Sequence, residues 1–247
     1  MHVEFLSHWS GQLGREMYMN RYGHSGIPIV VFPSSGGTHN EYADFGMIDA
    51  CRGSIEAGKV QFFTVSSIDA ESWLAEGKPA HDRALAHQAY DRYLIEEAIP
   101  FIKHKTGWFD GMMATGCSMG AYHAINFFLQ HPDVFTKVIA LSGVYDARFF
   151  FGHDYGDDQA VYYNSPADYI WNQNDGWFID RYRAADIIVC TGLGDWEQDG
   201  LASYYSLKDA FNEKGIPAWC TEWGHDVSHD WIWWRKQMPY FLNEIGL

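Results

Sequence analysis

The pentapeptide Gly116-Cys117-Ser118-Met119-Gly120 constrains this chain more than any other stretch. An apolar run precedes it within Phe109 to Thr115, and the residues to Gln130 then carry apolar side chains at helical spacing. A strand that turns into a helix with no connecting loop forces its central residue into strained backbone. It also passes so close to its neighbours that a Cβ at either flank would collide, which is the use of the two glycines. The pattern G-x-S-x-G in a strand-turn-helix context therefore presents Ser118 at the tip of a sharp turn. Unpaired N–H groups and the positive end of the helix dipole lie behind it and stabilise negative charge developing there. A serine helix cap would satisfy the pentapeptide alone; the flanking context favours a nucleophile.

The rest of the chain supplies the sheet that such a turn needs. Val3 to Leu6 and Glu16 to Tyr22 read as edge strands joined by a glycine-containing turn. Pro28 to Phe32, Val60 to Val65, Lys137 to Ser142, Asp186 to Thr191 and Ala218 to Glu222 are short apolar runs, the mark of strands buried on both faces. Helices are expected over Tyr42 to Ala57, Asp82 to Lys105 (despite Pro100), Ala202 to Lys214 and Asp230 to Ile245. Strands alternating with helices predict an α/β fold, a mostly parallel sheet covered on both faces, with chemistry beyond the carboxyl ends of its strands. Composition shows no break, so 1–247 reads as a single domain, with 144–185 as a cap-like insertion crowded with aromatics, Asp and Asn.

A serine nucleophile needs a histidine to take its proton and a carboxylate to hold that histidine. Among the 12 histidines, only His225 and His229 follow the last expected strand, in a loop able to reach back over the carboxyl edge; His229, just before the final helix, is favoured. The acid belongs after the strand ending at Thr191, where Asp195 and Glu197 both stand, with Asp199 a weaker third. The G-x-x-D spacing favours Asp195, while Glu197 needs only slightly more loop, and spacing does not separate them. An oxyanion hole would combine the N–H of Met119 with one from the small-residue loop Pro33 to Thr38, from Ser35 or Gly36. The same Gly36-Gly37 pair would also serve a plain turn.

Charge narrows the partners. Lys plus Arg number 17 against 32 Asp plus Glu, a net charge of -15, which repels phosphate backbones and anionic lipid. Neither nucleic acid nor a membrane is an expected partner. The four cysteines, Cys51, Cys117, Cys190 and Cys220, are widely spaced and read as small buried hydrophobes in a reducing compartment. No leader-like or transmembrane-length apolar run occurs, and the expected location is cytoplasmic.

These residues together resemble an esterase family of α/β-hydrolases, one that includes S-formylglutathione hydrolase (esterase D), feruloyl and acetyl-xylan esterases, enterochelin esterases and mycolyltransferases. The matching pieces are Gly116 to Ala121 with its helix, the strand end Ser142-Gly143-Val144-Tyr145-Asp146, and His229-Asp230-Trp231 followed by Trp234-Arg235. The last piece is similar to a His-x-Trp-x-x-Trp tail of the family and lifts His229 over His225. The resemblance, from about Gly26 to the end, implies the α/β-hydrolase fold and a triad of Ser118, His229 and either Asp195 or Glu197. More narrowly, the chain resembles a bacterial subgroup with a Trp-Glu pair in the acid loop, as in Trp196-Glu197 here, which favours Glu197. Residues 149–180 match no substrate-binding insert of the better-known members.

The chemistry so implied is hydrolysis of a small-molecule ester with a small acyl group, requiring neither metal nor organic cofactor. The aromatics of 144–183 could stack a sugar or an aromatic acyl group, pack as a mini-core, or form a contact in a homo-oligomer. Two rival classes are a metal hydrolase using His225 and His229 with Asp226 and Asp230, or the acidic run His153 to Asp158, and a non-catalytic binding module on the same fold.

Overall fold

In the computed structural model, which describes residues 1–247, eight strands form one sheet in the order β1-β2-β4-β3-β5-β6-β7-β8. The hairpin β1 (Val3–Ser10) and β2 (Arg15–Tyr22) joins antiparallel to β4 (Val60–Val65). From there β3 (Ile27–Phe32), β5 (Met112–Cys117), β6 (Phe135–Leu141), β7 (Asp186–Thr191) and β8 (Trp219–Glu222) continue in parallel.

The period of two along the buried strands sorts their side chains into two cores. Val30 and Phe32 of β3, Met112 and Ala114 of β5, and Ile187 and Val189 of β7 enter one core; Ile29, Val31, Met113, Cys117, Ile188 and Cys190 enter the other. The first core is covered by α4 (Ala80–Tyr93), α5 (Ile99–Thr106), α6 (Met119–Gln130), α8 (Pro166–Asn172), α9 (Gly176–Ala184) and α10 (Gln198–Glu213). The second lies under α1 (Glu41–Asp44), α2 (Met47–Ala50), α3 (Arg52–Glu56) and α11 (Trp231–Glu244). A fully apolar strand is thus explained by cover on both sides.

Four expectations shift. The helix expected over 42–57 is three short ones, because Gly46 takes φ 74 and breaks the run. The helix expected over 82–105 is continuous from Ala80 to Thr106 but widens to a π turn over Leu94–Ala98. Pro100 follows that turn without needing an intrahelical N–H donor. The helix expected from Ala202 starts at Gln198, with Glu197 at its N-cap. The stretch 144–183 is more regular than expected, holding a 3₁₀ turn at Ala147–Phe150, α7 (Gln159–Tyr162), α8 and α9. No helix is long and apolar enough to cross a membrane.

Candidate active site

Ser118 is the residue between β5 and α6, and its backbone stands at φ 57, ψ -123. Both flanking glycines are dictated by contact. A Cβ on Gly116 would lie 2.3 Å from the Gly120 carbonyl carbon, and one on Gly120 would lie 2.3 Å from the Phe32 carbonyl oxygen. The turn is pinned to the next strand by Ser118 N–H donating to the Leu141 carbonyl at 2.9 Å. The serine side chain is left facing a cavity of about 240 Å³ that Ser35, Met119, Ser142, Glu197 and His229 also line.

His229 reaches this cavity from the loop between β8 and α11. Its N–H donates to the main-chain oxygen of Asp195 at 2.9 Å, and its Nδ1 lies 3.3 Å from Glu197 Oε2. The Trp234 ring packs edge-on against the imidazole, with centroids 4.9 Å apart. Glu197 is buried and receives a full set of donors. Oε1 accepts from Ser142 Oγ at 2.7 Å and from the Gly192 N–H at 3.2 Å, while Oε2 accepts from Thr191 Oγ1 at 3.2 Å. Burial pushes this carboxyl up, but the hydrogen bonds from His229 and Ser142 outweigh it, and its pKa ends below the usual glutamate value. Its place at the N-cap of α10 adds the favourable end of the helix dipole.

Of the two candidate acids, the structure brings Glu197 to His229. The Asp195 side chain is exposed, and the residue meets His229 through its main-chain oxygen only. The difference comes from a turn closed by Glu197 N–H to the Gly194 oxygen at 3.4 Å, which turns position 195 outward and 197 inward. Asp199 lines the cavity but makes no hydrogen bond to His229. His225 is exposed and stands off the cavity, and no three His, Cys, Asp or Glu side chains converge as a metal-ligand set.

The loop after β3 supplies Ser35 to the cavity wall, whereas Gly36 is exposed at φ 72 and lies outside the lining. The loop is anchored from behind by the buried Glu41. Its carboxylate accepts the Ser34 N–H at 2.8 Å and the Ser34 hydroxyl at 2.5 Å. A Cβ on Gly37 would lie 2.3 Å from Glu41 Oε1 and would push this carboxylate off Ser34. On the other side, the N–H of Met119 opens α6 and has no partner within the helix.

Sequence reading named Ser142 and Trp234 only as matching pieces of the resemblance and passed over their support of Glu197. The Trp234 indole N–H donates to Ser142 Oγ at 3.0 Å, and that hydroxyl donates on to Glu197, so a Trp-Ser-Glu chain holds the carboxylate. Ser142 directly follows β6, at φ 55. A small polar residue directly after a buried strand was the available signal. Within the aromatic stretch, Val144, Phe149 and Phe150 line the cavity; Tyr155, Tyr162, Tyr163, Tyr169, Trp171, Trp177 and Phe178 do not.

A serine on a strained strand-helix turn, at the carboxyl ends of a mostly parallel sheet, defines the α/β-hydrolase fold. Residues 10–245 match the family model described as Putative esterase, and the chain belongs to that family. Among solved structures it is similar to a ferulic acid esterase, with 18% identity and TM-score 0.76 over 99% of this chain and 96% of that one. It is also similar to an S-formylglutathione hydrolase from Agrobacterium tumefaciens, at 18% identity and TM-score 0.73 over 98% and 93%. MPT51 (FbpC1) of Mycobacterium tuberculosis aligns at 14% identity and TM-score 0.76 over 99% and 98%. No curated protein sequence matches the chain.

Proposed function

We propose that this protein is a serine carboxylesterase acting on small-molecule esters. The observation that carries the reading is a single cavity lined by a serine at φ 57 and by a histidine whose Nδ1 faces a buried, hydrogen-bonded glutamate. Ser118 Oγ attacks the ester carbonyl while His229 takes its proton. The ionised Glu197 keeps the imidazole N–H turned inward and stabilises the imidazolium that forms. Negative charge on the carbonyl oxygen falls to the N–H groups of Met119 and Ser35, which cost no reorganisation as it develops. His229 then protonates the leaving alcohol. Water, deprotonated by the same histidine, hydrolyses the acyl-enzyme and restores Ser118.

The cavity, about 240 Å³, suits a small acyl group. Leu74, Val144, Phe149 and Phe150 give it an apolar wall, and the cap role of residues 144–185 narrows to the segment 144–150. The test is labelling with a fluorophosphonate, read by intact mass and peptide mapping. One adduct on Ser118, absent from Ser118→Ala and suppressed in His229→Ala, is the expected result. A folded protein that forms no adduct would overturn the reading.

A further inference from the structure

Three residues other than glycine have positive φ in this chain: Ser118, Ser142 and Trp196. The first two carry the nucleophile and the support of the acid. The third has no role in the chemistry proposed above, yet it is the bulkiest of the three. In the turn Gly194-Asp195-Trp196-Glu197 the φ of Asp195 is negative and that of Trp196 is 68, the pattern of a type II turn, whose third position is normally glycine. A bulky residue at such a position persists only when its surroundings impose it. Burial does not reward it, because the Trp196 side chain is 81% exposed while still lining the cavity.

We propose that Trp196 is a specificity-determining residue, an indole wall at the cavity mouth that receives the alcohol portion of the ester. The proposal rests on the esterase reading. The alcohol side follows from what Trp196 is attached to. The preceding carbonyl, Asp195 O, accepts the His229 N–H, and the following residue is Glu197, so Trp196 joins the cavity wall on the acid-histidine side. His229 must protonate the leaving oxygen, which places the alcohol on that side. The oxyanion loop with Ser35 approaches the carbonyl carbon from another strand end, that of β3. An exposed indole offers a flat face, and a ring-bearing alcohol gains contact on it that a short chain does not.

The experiment compares the parent with Trp196→Gly and Trp196→Phe on two ester series. One holds the acetyl group constant and varies the alcohol through ethyl, cyclohexyl and benzyl; the other holds the alcohol constant and lengthens the acyl chain from acetyl to hexanoyl. Trp196→Gly is expected to melt no lower than the parent, since glycine fits φ 68. It should lose about tenfold in kcat/KM on benzyl acetate and about twofold or less on ethyl acetate, with Trp196→Phe recovering most of the difference. Equal losses across the alcohol series, or losses that follow acyl length, would overturn the proposal. A second readout is independent of turnover: the indole resonance of Trp196, assigned as the one missing in Trp196→Phe, is followed while benzyl alcohol or ethanol is added. A shift with benzyl alcohol and none with ethanol supports the site even if the parent hydrolyses no ester, which would fault only the esterase reading. No shift with either alcohol overturns the site.

Discussion

The two ends of the parallel sheet differ in which residues take positive φ. At the carboxyl ends of β5, β6 and β7, positive φ falls on Ser118, Ser142 and Trp196; everywhere else in the chain it falls on glycine. Gly26 and Gly58 show the second practice, on either side of the amino ends of β3 and β4. There the fold needs only a close approach: a Cβ on Gly26 would lie 2.1 Å from the Lys59 carbonyl oxygen. At the ends of β5, β6 and β7 positive φ falls instead on residues whose side chains, two hydroxyls and an indole, line the cavity. Strain is tolerated where a functional group is wanted and removed where only a turn is wanted.

The largest effect expected from breaking the carboxyl rim is at Glu197, the proposed acid. Glu197→Gln keeps the shape but offers an amide where His229 and Ser142 both need an acceptor, and kcat/KM should fall about 10³-fold. Asp195→Asn, two positions away but outward-facing, should change it less than about twofold. Steady-state kinetics on one ester decides between the two carboxylates. At the opposite end, Gly26→Ala should cost about 3 kcal/mol in denaturant unfolding, because the colliding atoms are main chain and cannot swing aside.

Ser142 separates strain from function. Ser142→Ala loses both hydrogen bonds of the Trp234-Ser142-Glu197 chain and keeps φ 55; Ser142→Gly loses the same bonds and relieves the dihedral. Both should slow turnover about tenfold, while the alanine variant unfolds about 1 kcal/mol more easily than the glycine variant. Equal stabilities would mean that the rim carries no strain at this position.

The smallest effect concerns the layer beneath the nucleophile helix. His87 is fully buried against His123 and Asn126, and burial holds its pKa well below the ordinary 6.5. The unfolded chain takes a proton there that the native state refuses. Stability is therefore complete above about pH 6.5 and declines as pH falls below it, by about 0.7 kcal/mol for this residue between pH 7 and pH 6. His87→Gln should flatten the pH dependence of the melting temperature by that share, whatever it costs in absolute stability.

Much of this was legible in the residues. The strand-turn-helix around Ser118 is a local device: its glycines, its apolar strand and its helix lie within a few residues of one another, so no distant contact is needed to read it. Buried strands announced themselves as apolar runs because both faces are covered. The single helix expected over 42–57 failed on Gly46, whose left-handed backbone is a local choice that apolar spacing does not report. His229 was separable from His225 by its position against the final helix and its Trp-spaced tail.

Within this chain, then, the residues alone determined an α/β sheet, the elbow that presents Ser118, and the loops in which its partners lie. Which carboxylate meets His229 was decided by tertiary structure. Asp195 and Glu197 are chemically equivalent candidates two positions apart, and one turn sends the first to solvent and the second under Ser142 and Thr191. The same holds for the chain of Trp234, Ser142 and Glu197, whose members lie on α11, at the end of β6 and at the start of α10. Pattern along a chain records burial and local backbone geometry; the direction a side chain takes across three strand ends exists only once the sheet has brought them together.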